Sequence, residues 1–140
     1  MAHNMHMEIV TPDKILWRGD VTMVTAPGYL GEFGVLPDHA PFITSLKIGA
    51  LHFKIDGGDE QWAAVHGGYF EVLDNRITVL ADRAEFAQDI DIQRVRQARS
   101  RAEGRLQEFA NLSLEDKDVI RAMAALERAL ARETVVAKHK

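Results

Sequence analysis

Three groups of side chains in this 140-residue sequence are of types that chemistry uses. The first lies in the stretch Gly31 to Phe42, GEFGVLPDHAPF, where Glu32, Asp38 and His39 sit among two glycines and two prolines. Carboxylates and an imidazole in a shaped loop are the raw material of general acid–base work. The second group is His39, His52 and His66 with Glu32, Asp38 or Glu71, which supplies nitrogen and oxygen donors for a metal. A metal-dependent hydrolase built on His39, His66 and Glu71 is the catalytic reading the chain offers. Its spacing follows no helical or loop ligand pattern, and scattered histidines ordinarily sit singly at surfaces and turns. The third group is basic: Asp91 and Arg94 three apart, Arg101 two turns on, and Arg128 and Arg132 four apart. Guanidinium groups on adjoining helix faces offer paired donors to phosphate oxygens, while the same residues also make ordinary solvated faces. There is no nucleophile elbow, no glycine-rich phosphate loop and no histidine–acid–serine set. No catalytic residue and no metal ligand are therefore assigned.

The elements that must position these groups change character along the chain. Met5, Met7 and Ile9 alternate with His6, Glu8 and Val10, and Val21 to Ala26 alternates again before Pro27-Gly28. Leu51, Phe53 and Ile55 alternate with His52 and Lys54 up to the turn Asp56-Gly57-Gly58-Asp59. Gln61 to Val65 runs back, and His66-Gly67-Gly68 reads as a turn that needs positive φ. Tyr69 to Leu73 and Arg76 to Ala81 flank a turn at Asp74-Asn75. Short strands between frequent turns predict an antiparallel β-sandwich ending near Phe86. The glycines and prolines of Gly31 to Phe42 predict a loop presented by that scaffold.

After Gln88 the apolar period lengthens to about 3.6 residues. Asp89 or Asp91 caps a first helix carrying Ile92, Val95, Ala98, Ala102, Leu106 and Phe109, with Gly104 a weak point. Asn111-Leu112-Ser113 breaks it. Ser113 with Asp116 resembles a capping box, and a second helix follows with Val119, Met123, Leu126 and Leu130 as its apolar stripe. The short connection makes the pair antiparallel, and Ala98, Ala102, Ala122 and Ala125 allow close approach. So narrow a stripe implies a hairpin that must dock on something. The chain thus divides into an α+β pair of units, a sandwich over 1–86 and a two-helix hairpin over 87–140.

Charge follows the same division. Through Phe86 there are six Lys/Arg against twelve Asp/Glu, and afterwards eleven against nine. A net charge of −4 disfavours a nucleic-acid binder. No apolar run approaches the ~20 residues of a membrane helix. The start Met1 to Met7 has neither the basic residues nor the apolar run of a signal peptide, so a cytoplasmic protein is expected. The sequence contains no cysteine, which excludes disulfides and thiolate metal sites.

GEFGVLPDHAPF, followed by Leu46, Gly49 and Leu51, VHGGYFEV at Val65 to Val72, ITVLAD at Ile77 to Asp82 and DID at Asp89 to Asp91, resembles the epsilon subunit of bacterial F-type ATP synthases. The resemblance covers nearly the whole chain in order. It implies a β-sandwich of about ten strands, a C-terminal helical hairpin, and a non-catalytic place in the central stalk at the cytoplasmic face of the inner membrane. The implied partners are the gamma subunit, the c-subunit ring and the alpha and beta subunits. Gly31, Glu32, Phe33, Gly34, Asp38 and His39 would face the polar loops of the ring. The hairpin would fold down on the sandwich or extend into the catalytic head and inhibit ATP hydrolysis, with Arg121, Arg128 and Arg132 meeting acidic segments there. The resemblance requires no cofactor but implies regulatory ATP, bound in some members by Ile/Leu-Asp-x-x-Arg-Ala plus arginines of the second helix. Here Ile90, Asp91 and Arg94 match, Arg128 and Arg132 keep the spacing, and Glu85 falls where an acidic residue is used. Val95 replaces the motif's alanine and adds bulk beside the nucleotide. A free-standing ligand-binding sandwich covered by helices is the remaining alternative.

Overall fold

The computed structural model describes residues 3–139; Met1, Ala2 and Lys140, the outer ends of the two expected units, lie outside the described residues. The first alternating stretch forms strand β1 (Met5–Val10), with Met5, Met7 and Ile9 buried. Six more strands follow: β2 (Ile15–Gly28), β3 (Gly31–Val35), β4 (Phe42–Ile55), β5 (Glu60–Leu73), β6 (Arg76–Ala81) and β7 (Ala84–Phe86). β1 pairs in parallel with β6 and antiparallel with β2; β2 pairs β4, β4 pairs β5, and β5 pairs β6. The circuit closes on itself, giving a flattened barrel whose two walls make the sandwich. β3 extends β2, and β7 joins the N-terminal half of β5.

Seven strands replace the expected ten or so because β2, β4 and β5 each run 14 residues through both walls. In β5 the inward-facing set is odd at Ala63 and Val65 but even at Phe70 and Val72. Between them Gly67 and Gly68 hold φ of 86° and 126°, which rotates the strand without ending it. A Cβ at Gly68 would run into the Leu80 carbonyl. The expected turn at His66-Gly67-Gly68 is thus a twist inside one strand, its positive φ intact. β4 changes parity opposite it, from Leu46 to Leu51 and Phe53, while the register with β5 stays continuous. The expected loop Gly31 to Phe42 is similarly half strand: β3 takes Gly31–Val35, and only 36–41 is irregular.

A 3₁₀ turn, Ala87–Asp89, leads from β7 into α1 (Ile92–Glu108), and α2 (Lys117–Lys138) returns antiparallel. Asp91 is the N-cap of α1, accepting from the Gln93 and Arg94 amides at 3.0 and 3.4 Å. Asp116, not Ser113, caps α2, accepting from the Asp118 amide. Ser113 Oγ accepts from the Glu115 amide within the connecting turn, so there is no capping box.

α2 lies between α1 and the outer face of β4 and β5. Its seat is Ala64, Ala87, Ala131 and Val135, bordered by Ile48, Ala50, Trp62 and Ile90. Because α2 is covered on two sides, its buried set is Val119, Ala122, Ala129, Ala131 and Val135. Of the expected stripe only Val119 is buried; Met123 and Leu130 are exposed, as is Ile120. Alanine wins these positions because only a small side chain lets a helix backbone approach two surfaces at once.

Candidate functional site

Where β7 leaves the sandwich and α1 begins, the chain folds around a cleft of about 650 Å³. Glu85 stands on the β7 side, Ile90 and Asp91 on the turn, Arg94 in the first turn of α1, and Arg132 reaches in from α2. Lys14, Arg83 and Arg101 bring the cations of the lining to five, and Asp13, Asp82 and Asp89 with Glu85 and Asp91 supply five carboxylates beside them. Its size falls within the range of small-molecule sites, roughly 300–1,000 Å³. Among the described residues Lys14, Arg94 and Arg101 have no carboxylate within ion-pair distance, so their charge is available to an anion. Val95 is buried in the same wall at 5% exposure. Arg128 and Arg121 do not line the cleft.

Glu85 joins the two units electrostatically. Arg132 donates from Nε at 2.9 Å and Nη2 at 2.6 Å to Glu85 Oε1, and His66 Nε2 lies 3.3 Å from the same oxygen. The His66 contact, opposed by burial and aided by Arg132, holds the Glu85 carboxyl down at about 2 from its ordinary 4.5. A second tie joins the helices, where Arg99 bridges Glu103 and Glu133 at 3.0 and 2.8 Å.

The other candidate set is at the β3 edge. Glu32 and Gly34 are exposed on β3, and among the described residues Glu32 has no partner. Gly31 takes φ of 134° after the turn at Tyr29 and Leu30, both exposed. Phe33 points the other way, its ring edge-on to Phe42 and Phe70 at 5.2 and 4.9 Å, and anchors the strand. Asp38 is a support: it holds φ of 67°, its amide donates to Asn75 Oδ1 at 2.6 Å, and its carboxylate accepts from Asn75 Nδ2 at 3.0 Å. His39 bonds through Nδ1 to the Ala40 carbonyl at 2.7 Å. Nε2 is therefore the ring atom left for other contacts.

The metal set does not assemble. His66 faces Glu85 and Arg132; His52 stacks on Trp62 at 4.1 Å and meets Glu60 at 3.2 Å; His39 lies in its own loop and Glu71 is exposed on β5. Among the described residues no three His, Asp or Glu side chains come together as a metal site would need. The hydrolase alternative fails on this geometry. Sequence reasoning missed Asn75, which reads as a plain turn residue, and the partnership of His66. The latter was recoverable, because His66 shares its parity on β5 with Ala64, and both face outward beneath α2.

A closed β-sandwich joined to a docked two-helix hairpin, with a cleft at their junction, defines the architecture. Residues 4–87 match the family model described as the ATP synthase delta/epsilon chain β-sandwich domain, and residues 88–135 match its long α-helix domain. The chain belongs to the ATP synthase delta/epsilon family. It is 51% identical over 135 residues to the ATP synthase epsilon chain of Nitratidesulfovibrio vulgaris strain DP4, covering 96% of this chain and 97% of that one. It is 50% identical over 138 residues to the epsilon chain of Geotalea uraniireducens strain Rf4, covering 99% and 97%. A chain in the cryo-EM structure of the Euglena gracilis mitochondrial ATP synthase OSCP/F1/c-ring assembly shares the fold. Its TM-score is 0.82 at 21% identity, over 96% of this chain and 82% of that one. Family membership makes this a non-catalytic subunit of an F-type ATP synthase and disposes of the free-standing sandwich.

Proposed function

We propose that this subunit couples ion-driven rotation to ATP synthesis from the central stalk, and that its hairpin is a nucleotide-sensitive brake on ATP hydrolysis. The sandwich docks on the gamma subunit and the c-subunit ring, with Gly31, Glu32, Gly34 and His39 as the ring-facing set, held in place by Phe33 and Asp38. No helix of the described residues is long and apolar enough to cross a membrane; attachment to the cytoplasmic face of the inner membrane comes through the complex.

The observation that supports the regulatory half is the convergence of Glu85, Ile90, Asp91, Arg94 and Arg132 on one cleft, lined by β7, α1 and α2 together with the hairpin docked. A ligand that needs β7, α1 and α2 together binds the docked state better and shifts the population toward it. ATP suits the available cations, Arg94 and Arg101 among them. The exposed Ile120, Met123 and Leu130 give α2 a second apolar face for the extended state, in which Arg121, Arg128 and Arg132 meet acidic segments of the alpha and beta subunits. Isothermal titration of the isolated chain with ATP tests the cleft: the expected result is saturable heat that Arg94→Ala removes. No heat up to millimolar ATP would overturn it.

A further inference from the structure

The buried centre of the seat that holds α2 is three alanines and Val135, with Ile48, Ala50, Trp62 and Ile90 partly buried around it, and apolar contact of this kind has no direction. The directional contact across that seat is the Glu85 carboxylate, and its geometry is lopsided. All three donors converge on Oε1: Arg132 Nε and Nη2 from the helix and His66 Nε2 from β5. A glutamate on a short edge strand has several rotamers, and one that presents Oε1 to α2 must be selected.

We infer that His66 is a positioning residue that makes this selection, so that the strength of the hairpin latch is set from inside the sandwich. The imidazole side chain is 4% exposed and locked in the row of β5 that faces α2. Opposite a carboxylate oxygen, which only accepts, neutral His66 must carry its proton on Nε2. Nδ1 is then a bare lone pair, and among the described residues it is the buried side-chain polar atom left without a protein partner. That assignment costs least: the other tautomer would leave a buried N–H unpaired and set two acceptors against each other. The latch is therefore a relay in which His66 donates to Glu85, and Glu85 receives Arg132. Its consequence for regulation rests on the reading of the hairpin as a two-position element.

The sequence has no cysteine, so Asp59→Cys and Thr134→Cys place a spin-label pair at exposed positions on the β4–β5 turn and on α2. Double electron–electron resonance on the full chain then reads the docked and undocked fractions. His66→Ala is expected to raise the ratio of undocked to docked chain roughly tenfold, the scale of one hydrogen bond to a charged group. Arg132→Ala should do the same, the double variant should go little further, and His66→Gln, which keeps a donor, should restore docking. Long-range proton–nitrogen correlation should find the His66 proton on Nε2. Thermal melts of the sandwich check that each variant folds. Additive effects of the two substitutions, a proton on Nδ1, or unchanged docking in a folded His66→Ala chain that Arg132→Ala opens would each overturn the role of His66. A hairpin that stays docked in Arg132→Ala as well would overturn the two-position reading, and the latch with it.

Discussion

Glu85 shows how one side chain can be both structural tie and site wall. Its pKa is depressed, so the stability it contributes is present above the ordinary value of 4.5 and is lost as pH falls toward about 2. Facing it are His66 from β5 and Arg132 from α2. Stability in denaturant melts should fall over that interval, and hairpin docking, followed by hydrogen exchange of α2 amides, should weaken with it through the Arg132 share alone. Glu85→Gln should dock less well at neutral pH and lose the dependence. Gly68 fails differently: the Leu80 carbonyl blocks any Cβ there, so Gly68→Ala should destabilise by several kcal/mol in denaturant melts, given the positive φ and the clash together. The types of these residues are legible in the sequence, but their partners are not. His66-Gly67-Gly68 announces positive φ, yet only the strand's passage between two walls decides that it is a twist and not a reversal. Asp38 reads as a contact residue, and its bonds to Asn75 are not legible beside that, because Asn75 lies in a different turn.

At the scale of elements, the capping aspartate of α1 and the alternation of β1 follow directly from local rules. The buried face of α2 does not. Periodicity selects the largest apolar residues as the stripe, whereas a helix wedged between a sheet and another helix buries its smallest, which is why Ala122, Ala129 and Ala131 displace Met123 and Leu130. Strand count likewise depends on whether a parity change ends a strand. Two substitutions probe the hairpin with opposite signs. Asp91→Ala removes the cap at the cleft and should cost the hairpin about 1 kcal/mol. Gly104 has open space around its missing Cβ, so Gly104→Ala should stabilise α1 by up to ~1 kcal/mol. Exchange rates of α1 amides would read both.

For the whole molecule, the change in charge after Phe86 and the change in period coincide with the junction between the two matched family regions. The sandwich closes its strand circuit and leaves β3 at an edge. The hairpin rests on a small apolar seat and the Glu85–Arg132 ion pair, and Arg99 ties its two helices together. The sequence conveys the docking of the hairpin only through family resemblance, since no linear motif encodes a seat. The most direct test is ATP hydrolysis by the assembled synthase with Ser113 to Lys140 deleted from this subunit. Normal assembly with raised hydrolysis is the result expected of a braking hairpin; hydrolysis equal to that of the intact complex would contradict it.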